Sequence, residues 1–216
     1  MPPQEKALLS ARIIQDEEKR CREDLLYFLT KYVKSLDEHD TIDPIKPLPM
    51  DKQYLQDIAW LFINEKLLLI EKSRQMLVTW IITACCLWDA QFHEGRRIAI
   101  QSKKEQDANA ILDRVKFIYR HEPDILKQAH RANEPMAYTR LEFGKQNSII
   151  MAIPQGAEQL RQYTFSRVIV DEAAFQEQAE EGYIAMRPTL TGGGKLVMVS
   201  SPNFKNFFWR IRSDKI

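Results

Sequence analysis

Apolar positions recur at helical spacing through the first third of the chain and in short unbroken runs after it. Leu25, Leu26, Leu29, Tyr32, Val33 and Leu36 share one helical face with charge opposite, so residues 4–36 read as a helix. Pro44, Pro47 and Pro49 crowd the next stretch, and 37–49 reads as a Pro-rich linker. Residues 1–36 are then an N-terminal helical appendage to a body spanning 50–216. Gln53–Asn64 opens that body as a short amphipathic helix on Tyr54, Ile58, Leu61 and Phe62.

An alternation of strands and helices follows. The run KLLLI at 66–70 is continuously apolar, as in a strand buried on both faces. Residues 79–92 read as helix, Arg97–Gln101 as strand and 103–120 as helix. Residues 141–143 and Ser148–Ile153 form a hairpin pair around 144–147. A strand core at 168–170, a helix at 178–186, a strand at Lys195–Ser200 and a helix at 204–212 complete the chain. This order predicts an α/β fold with a mainly parallel sheet flanked by helices.

Composition narrows the function classes. Lys plus Arg number 31 against 30 Asp plus Glu, a net charge of +1, so a generally basic protein that coats nucleic acid is excluded. Contact with DNA or RNA would use a local patch. Three cysteines, with Cys85 and Cys86 adjacent, give neither a disulfide framework nor a zinc-site spacing and suit a reducing compartment. The first ten residues lack the apolar core of a signal peptide, and the apolar stretch 76–88 is too short to span a bilayer. A soluble intracellular chain without membrane contact is expected. None of the seven glycines lies in the first 94 residues, so a conventional glycine-rich phosphate loop cannot lie there.

Three segments carry chemistry, each at the end of an apolar strand. In RVIVDEAAF (167–175) three β-branched residues run into Asp171 and Glu172, at the edge where α/β sheets bind ligands. There Asp171 suits a magnesium ion and Glu172 suits polarising a water, although an acidic helix cap is the plainer reading. In EKSRQMLVTW (71–80), a strand meets a helix where backbone N–H groups would face a polyphosphate. The pattern G-x-x-x-x-G-K-[ST] fails, because Leu77 and Val78 occupy the Gly-Lys positions and only Thr79 survives. Taken alone, an ordinary turn is the better reading. Lys72, seven residues before Thr79, could instead reach the β/γ-phosphates, with Arg74 a second cation and the Thr79 hydroxyl on magnesium. In VSSPNF (199–204), Ser200, Ser201 and Asn203 place polar groups at another strand end, or simply make a turn.

Together, KSRQMLVT, VIVDEAAF and VSSPN resemble the ATPase domain of the large terminase subunit, the DNA-packaging motor of tailed phages, over roughly residues 48–212. The resemblance implies a P-loop NTPase-type fold, ATP and Mg2+ as cofactors, and a nucleotide loop made of Lys72, Ser73, Arg74, Gln75, Met76, Leu77, Val78 and Thr79. Lys72 matches the lysine that stands at the start of the loop in some members. Leu77 departs from the glycine of most members. Asp171 matches the metal-site aspartate, together with Thr79, and Glu172 the catalytic glutamate. Arg161 matches an arginine used near the γ-phosphate. Ser200, Ser201, Pro202 and Asn203 match a motif that couples hydrolysis to motion, and either Gln53 or Gln56 matches an adenine-reading glutamine.

The same resemblance implies double-stranded DNA, a portal protein and a small terminase subunit as partners, and self-assembly into a ring. It implies location in the infected host's cytoplasm, with transient docking on a procapsid. The nuclease domain of the family is not expected within these 216 residues. A helicase-like P-loop ATPase and a degenerate nucleotide-binding module are the alternatives. His39, His93, His121 and His130 lack metal-ligand spacing and read as surface or loop residues, the four tryptophans as core, and 192–194 as a turn before a strand.

Overall fold

Asp24 divides the helix expected over 4–36. In the computed structural model, which describes residues 3–213, α1 (Pro3–Glu23) stops there. The Asp24 carboxylate accepts a hydrogen bond from the Tyr27 N–H at 2.9 Å and starts α2 (Leu25–Tyr32). An aspartate satisfies a first-turn N–H in this position, so it begins a helix as readily as it interrupts one. The chain then extends into β1 (Lys34–Leu36), which pairs antiparallel with β2 (Ile45–Pro47). The stretch expected to be a linker therefore contains a strand. Asp37 and Asp40 accept backbone N–H groups two or three residues ahead at 3.0 Å and shape the connection. The prolines do not oppose this two-stranded ribbon, because its edges need no donor from them.

The helical pair is built into the body's core. Cys21, Leu25, Phe28 and Leu29 share one apolar cluster with Leu87, Trp88 and Phe92. The buried Trp88 indole donates to the Cys21 carbonyl at 2.7 Å. All three cysteines are buried and free.

Next come α3 (Gln53–Asn64), β3 (Leu67–Glu71), α4 (Val78–Phe92), β4 (Arg97–Gln101), α5 (Glu105–Arg120) and α6 (Asp124–Ala129). The hairpin strands β5 (Arg140–Phe143) and β6 (Ser148–Ile153) follow, then α7 (Ala157–Gln162), β7 (Arg167–Asp171), a short 3-10 turn, α8 (Ala179–Thr191), β8 (Lys195–Ser200) and α9 (Phe207–Arg212). The six-stranded sheet runs β3-β8-β7-β4-β6-β5. All pairs are parallel except β5 with β6.

Side chains alternate between two cores, as the pleat requires. Ile98, Ile100, Ile169, Val197 and Val199 enter the cluster shared with α3, α4 and α5. Ala99, Val168, Val170, Leu196 and Met198 enter the other, with Leu160, Ala185, Met186 and Phe208 from α7, α8 and α9. Continuous apolar runs result because both faces are covered. β3 is an exception: it is an edge strand, and only Leu68 in it is buried. α4 is apolar nearly all round because sheet and helices enclose it. Trp60, expected in the core, and His130, expected at the surface, exchange places. Trp60 is 59% exposed. His130 is buried, 2.9 Å from Glu18 Oε1, and ties α6 to α1.

Candidate nucleotide-binding site

Strand β3, which leads into residues 72–79, and the acidic strand β7 are not neighbours, because β8 lies between them. Parallel register brings Glu71 opposite Ser200 and Asp171 opposite Val199. The carboxyl ends of all three strands therefore open onto one edge, and the segments read as chemistry from sequence meet there. Their meeting place is a cleft of about 690 Å³ lined by residues 72–80, Arg114, Asp171, Glu172 and the β1–β2 hairpin.

Lys72 leaves β3 anchored by its N–H to the Ser200 carbonyl at 3.0 Å. Its ammonium donates to Glu172 Oε1 at 3.3 Å. Ser201 Oγ donates to the other oxygen, Glu172 Oε2, at 3.5 Å. Ser200 Oγ accepts from the Ala174 N–H at 3.1 Å, and the Asn203 and Asn206 amides donate to the Ala174 carbonyl at 3.1 and 2.6 Å. The SSPN segment thus holds the backbone just after the acidic pair, while Pro202 is exposed beside it.

The loop itself is strained. Gln75, Leu77 and Glu172 have φ of +62°, +56° and +50°, and all three line the cleft. Among the described residues Asn147 is the one other non-glycine with positive φ. Each left-handed residue with a Cβ costs about 1–2 kcal/mol, and such residues concentrate where geometry serves a site. Leu77 stands where the standard pattern has glycine and adopts the conformation a glycine supplies freely. It precedes α4 without a side-chain cap, and Val78, Thr79 and Trp80 of that helix's first turn line the cleft. Tyr54, on α3, steadies the loop by donating to the Met76 carbonyl at 3.1 Å.

Asp171 is 9% exposed, and its Oδ1 is buried without a hydrogen-bond partner. Burial pushes its carboxyl above the usual carboxylate range, and the nearby Lys72 charge opposes that push. An orphaned carboxylate oxygen in a cleft suits a cation. The described residues hold no cluster of three or more His, Cys, Asp or Glu fit to cage a metal. A single carboxylate oxygen of this kind is what magnesium takes from a protein when water and phosphate complete its shell.

Several solved structures of phage DNA-packaging proteins share this fold. The large terminase of bacteriophage HK97 superimposes with a TM-score of 0.61 at 14% identity, covering 89% of this chain and 42% of that one. The large terminase of a thermophilic bacteriophage, in complex with ADP, gives 0.58 at 13% identity, covering 76% and 42%. The Thermus phage P74-26 large terminase ATPase domain gives 0.52 at 17% identity, covering 71% and 67%. The chain has the fold of the phage large-terminase ATPase domain. It spans about two-fifths of the HK97 protein. No family model matches it.

Within this terminase-type fold, the residues named from sequence separate into two groups. Residues 72–79, Asp171 and Glu172 surround the cleft, and Ser200 to Asn203 adjoin it. Gln53 and Gln56 do not line it: Gln53 is exposed and donates to Asp57 at 2.9 Å, and Gln56 donates to the Met50 carbonyl at 2.7 Å. Arg161 lies exposed on α7, in a separate cavity with Ser166, Gly192 and Gly193. Those neighbours precede β7 and β8, so Arg161 stands at the opposite edge of the sheet from Glu172.

Two parts of the cleft went unread. Ser35 to His39, with Lys46, Pro47 and Pro49, form the wall facing the loop, and Arg114 reaches in from α5. The proline cluster was a signal for the first, although it suggested a linker. Arg114 had no signal beyond its place on a helix.

Proposed function

We propose that this chain is an ATP-hydrolysing motor domain of the large-terminase type, which couples magnesium-dependent ATP hydrolysis to translocation of double-stranded DNA into a procapsid. One observation carries the reading. A phosphate loop, an orphaned aspartate oxygen and a glutamate held by the loop lysine converge on one cleft from three strand ends. The terminase-type fold supports it.

In this reading Lys72 and the first-turn N–H groups of α4 bind the polyphosphate. Asp171 and Thr79 hold magnesium, which would supply charge neutralisation across the phosphate oxygens. Glu172 Oε1 and Oε2 orient a water and accept its proton. Because Ser201 contacts Glu172 directly, a change at that carboxylate passes into β8 and the segment leading to α9. Arg161 acts on the nucleotide of a neighbouring subunit in a ring. Portal protein, small terminase subunit and DNA are the proposed partners, in the host cytoplasm with transient docking on the procapsid.

Magnesium-dependent phosphate release from ATP tests the reading. Wild-type protein should turn over, and Glu172→Gln should bind ATP without turnover. Binding without hydrolysis in the wild type would leave a nucleotide-binding module, and binding of neither ATP nor ADP would end the proposal.

A further inference from the structure

The cleft contains a cation that the sequence motifs do not include. Arg114 belongs to α5 and faces the start of α4, with its guanidinium carbon 5.8 Å from the centre of the Trp80 ring. Trp80 follows Thr79 directly and packs edge-on against Phe117 of α5 at 5.5 Å. Val115, Lys116 and Ile118 are buried on the same helix. Arg114 is therefore carried by a packed element, whereas Arg74 is exposed on the loop.

Its charge is uncommitted. Lys72 is already held by Glu172 at 3.3 Å. Arg114 makes no ion pair and no hydrogen bond among the described residues, and its contact is with the Trp80 ring. Arg114 lines the same cleft as Asp171 and Glu172. The hairpin wall with Ser35 and Lys46 forms the rest of the cleft. A polyphosphate running from the loop toward Asp171 and Glu172 presents its terminal phosphate at that end.

We propose that Arg114 is a γ-phosphate-sensing residue acting within its own chain, making the cleft prefer nucleoside triphosphate over diphosphate. This rests on the nucleotide reading of the cleft. A guanidinium backed by an aromatic face and free of a carboxylate partner can engage phosphate oxygens bidentately. Loss of the terminal phosphate removes the group it would hold and returns it to Trp80.

The test is equilibrium binding of ATP and ADP, each with magnesium, to wild type, Arg114→Ala and Arg114→Lys, with Lys72→Ala alongside. Arg114→Ala should weaken ATP binding about 10- to 100-fold, the size of one charge-assisted contact. It should leave ADP binding within about two-fold, which also shows that the variant is folded. Arg114→Lys should recover part of the ATP affinity. Equal losses for ATP and ADP, or no loss for either, would overturn the sensing role. If wild type binds both nucleotides and Lys72→Ala weakens both while Arg114→Ala changes neither, this inference alone fails. If wild type binds neither, the nucleotide reading fails with it.

Discussion

The Lys72 ammonium lies 3.3 Å from Glu172 Oε1, joining residues one hundred positions apart in the sequence. The lysine proposed to bind phosphate and the glutamate proposed to activate water therefore occupy each other. Phosphate entering the cleft competes with Glu172 for Lys72, and the released carboxylate is free to face a water. Substitution should separate the two roles. Glu172→Gln is expected to bind ATP at least as tightly as wild type, because it removes the competing charge, and to lose turnover by about 10²–10⁴. Lys72→Ala is expected to weaken nucleotide binding by roughly 1.5–3 kcal/mol. Binding isotherms and phosphate-release rates, measured separately, check both. Equal binding losses in the two variants would contradict this division of labour.

Leu77 provides a test of the strained loop. At φ +56° a β-branched side chain fits poorly, whereas glycine fits without strain. Leu77→Val should therefore destabilise the fold by about 1–2 kcal/mol and weaken nucleotide binding. Leu77→Gly should stay within about 1 kcal/mol of wild type, since relief of strain offsets lost packing and added chain entropy. Chemical denaturation of the three proteins decides the matter. A valine variant as stable as wild type would show that the loop relaxes to another path.

Arg161 and Glu172 stand at opposite edges of one sheet, so a finger role for Arg161 requires a second subunit. Arg161→Ala keeps an intact cleft, and Glu172→Ala keeps an intact finger. Each is expected to be nearly inactive alone. A mixture should regain turnover under conditions where assembly is confirmed independently. Full activity of assembled Arg161→Ala would remove the finger role.

Glu122 gives a pH signature remote from the cleft. It is 4% exposed, accepts from the Gln91 amide at 2.8 Å, and is pushed up to about 8 by burial. Gln91 and the more distant Lys127 favour its charged form, but desolvation outweighs them. A carboxyl whose pKa is higher folded than unfolded binds more protons in the folded state, so stability falls as pH rises between the two values. Wild type should lose stability from about pH 4.5 to about pH 8 relative to Glu122→Gln, by on the order of a few kcal/mol at the upper end. Melting curves of both proteins across that range provide the measurement. Parallel profiles would mean that Glu122 ionises in the fold without cost.

The sequence by itself determined the six strands of the main sheet and most of the helices, because apolar runs and helical spacing are local. It also marked the three chemical segments, each of which ends an apolar strand. It could not place them relative to one another. The insertion of β8 between β3 and β7 is a long-range pairing, and that pairing puts Ser201 against Glu172 and brings Lys72 within reach of the same carboxylate. Tertiary contacts also decided the N-terminal region. Asp24 can cap a helix or sit within a polar helical face, and residues 37–49 become hairpin because β1 and β2 meet and Leu48 and Met50 are buried in the common core. Arg114 entered the cleft by the docking of α5 on α4, and Arg161 was left outside it because the last turn of α7 lies by the amino ends of the strands. Side-chain chemistry is written residue by residue, whereas distance between remote residues is set by how sheets and helices pack.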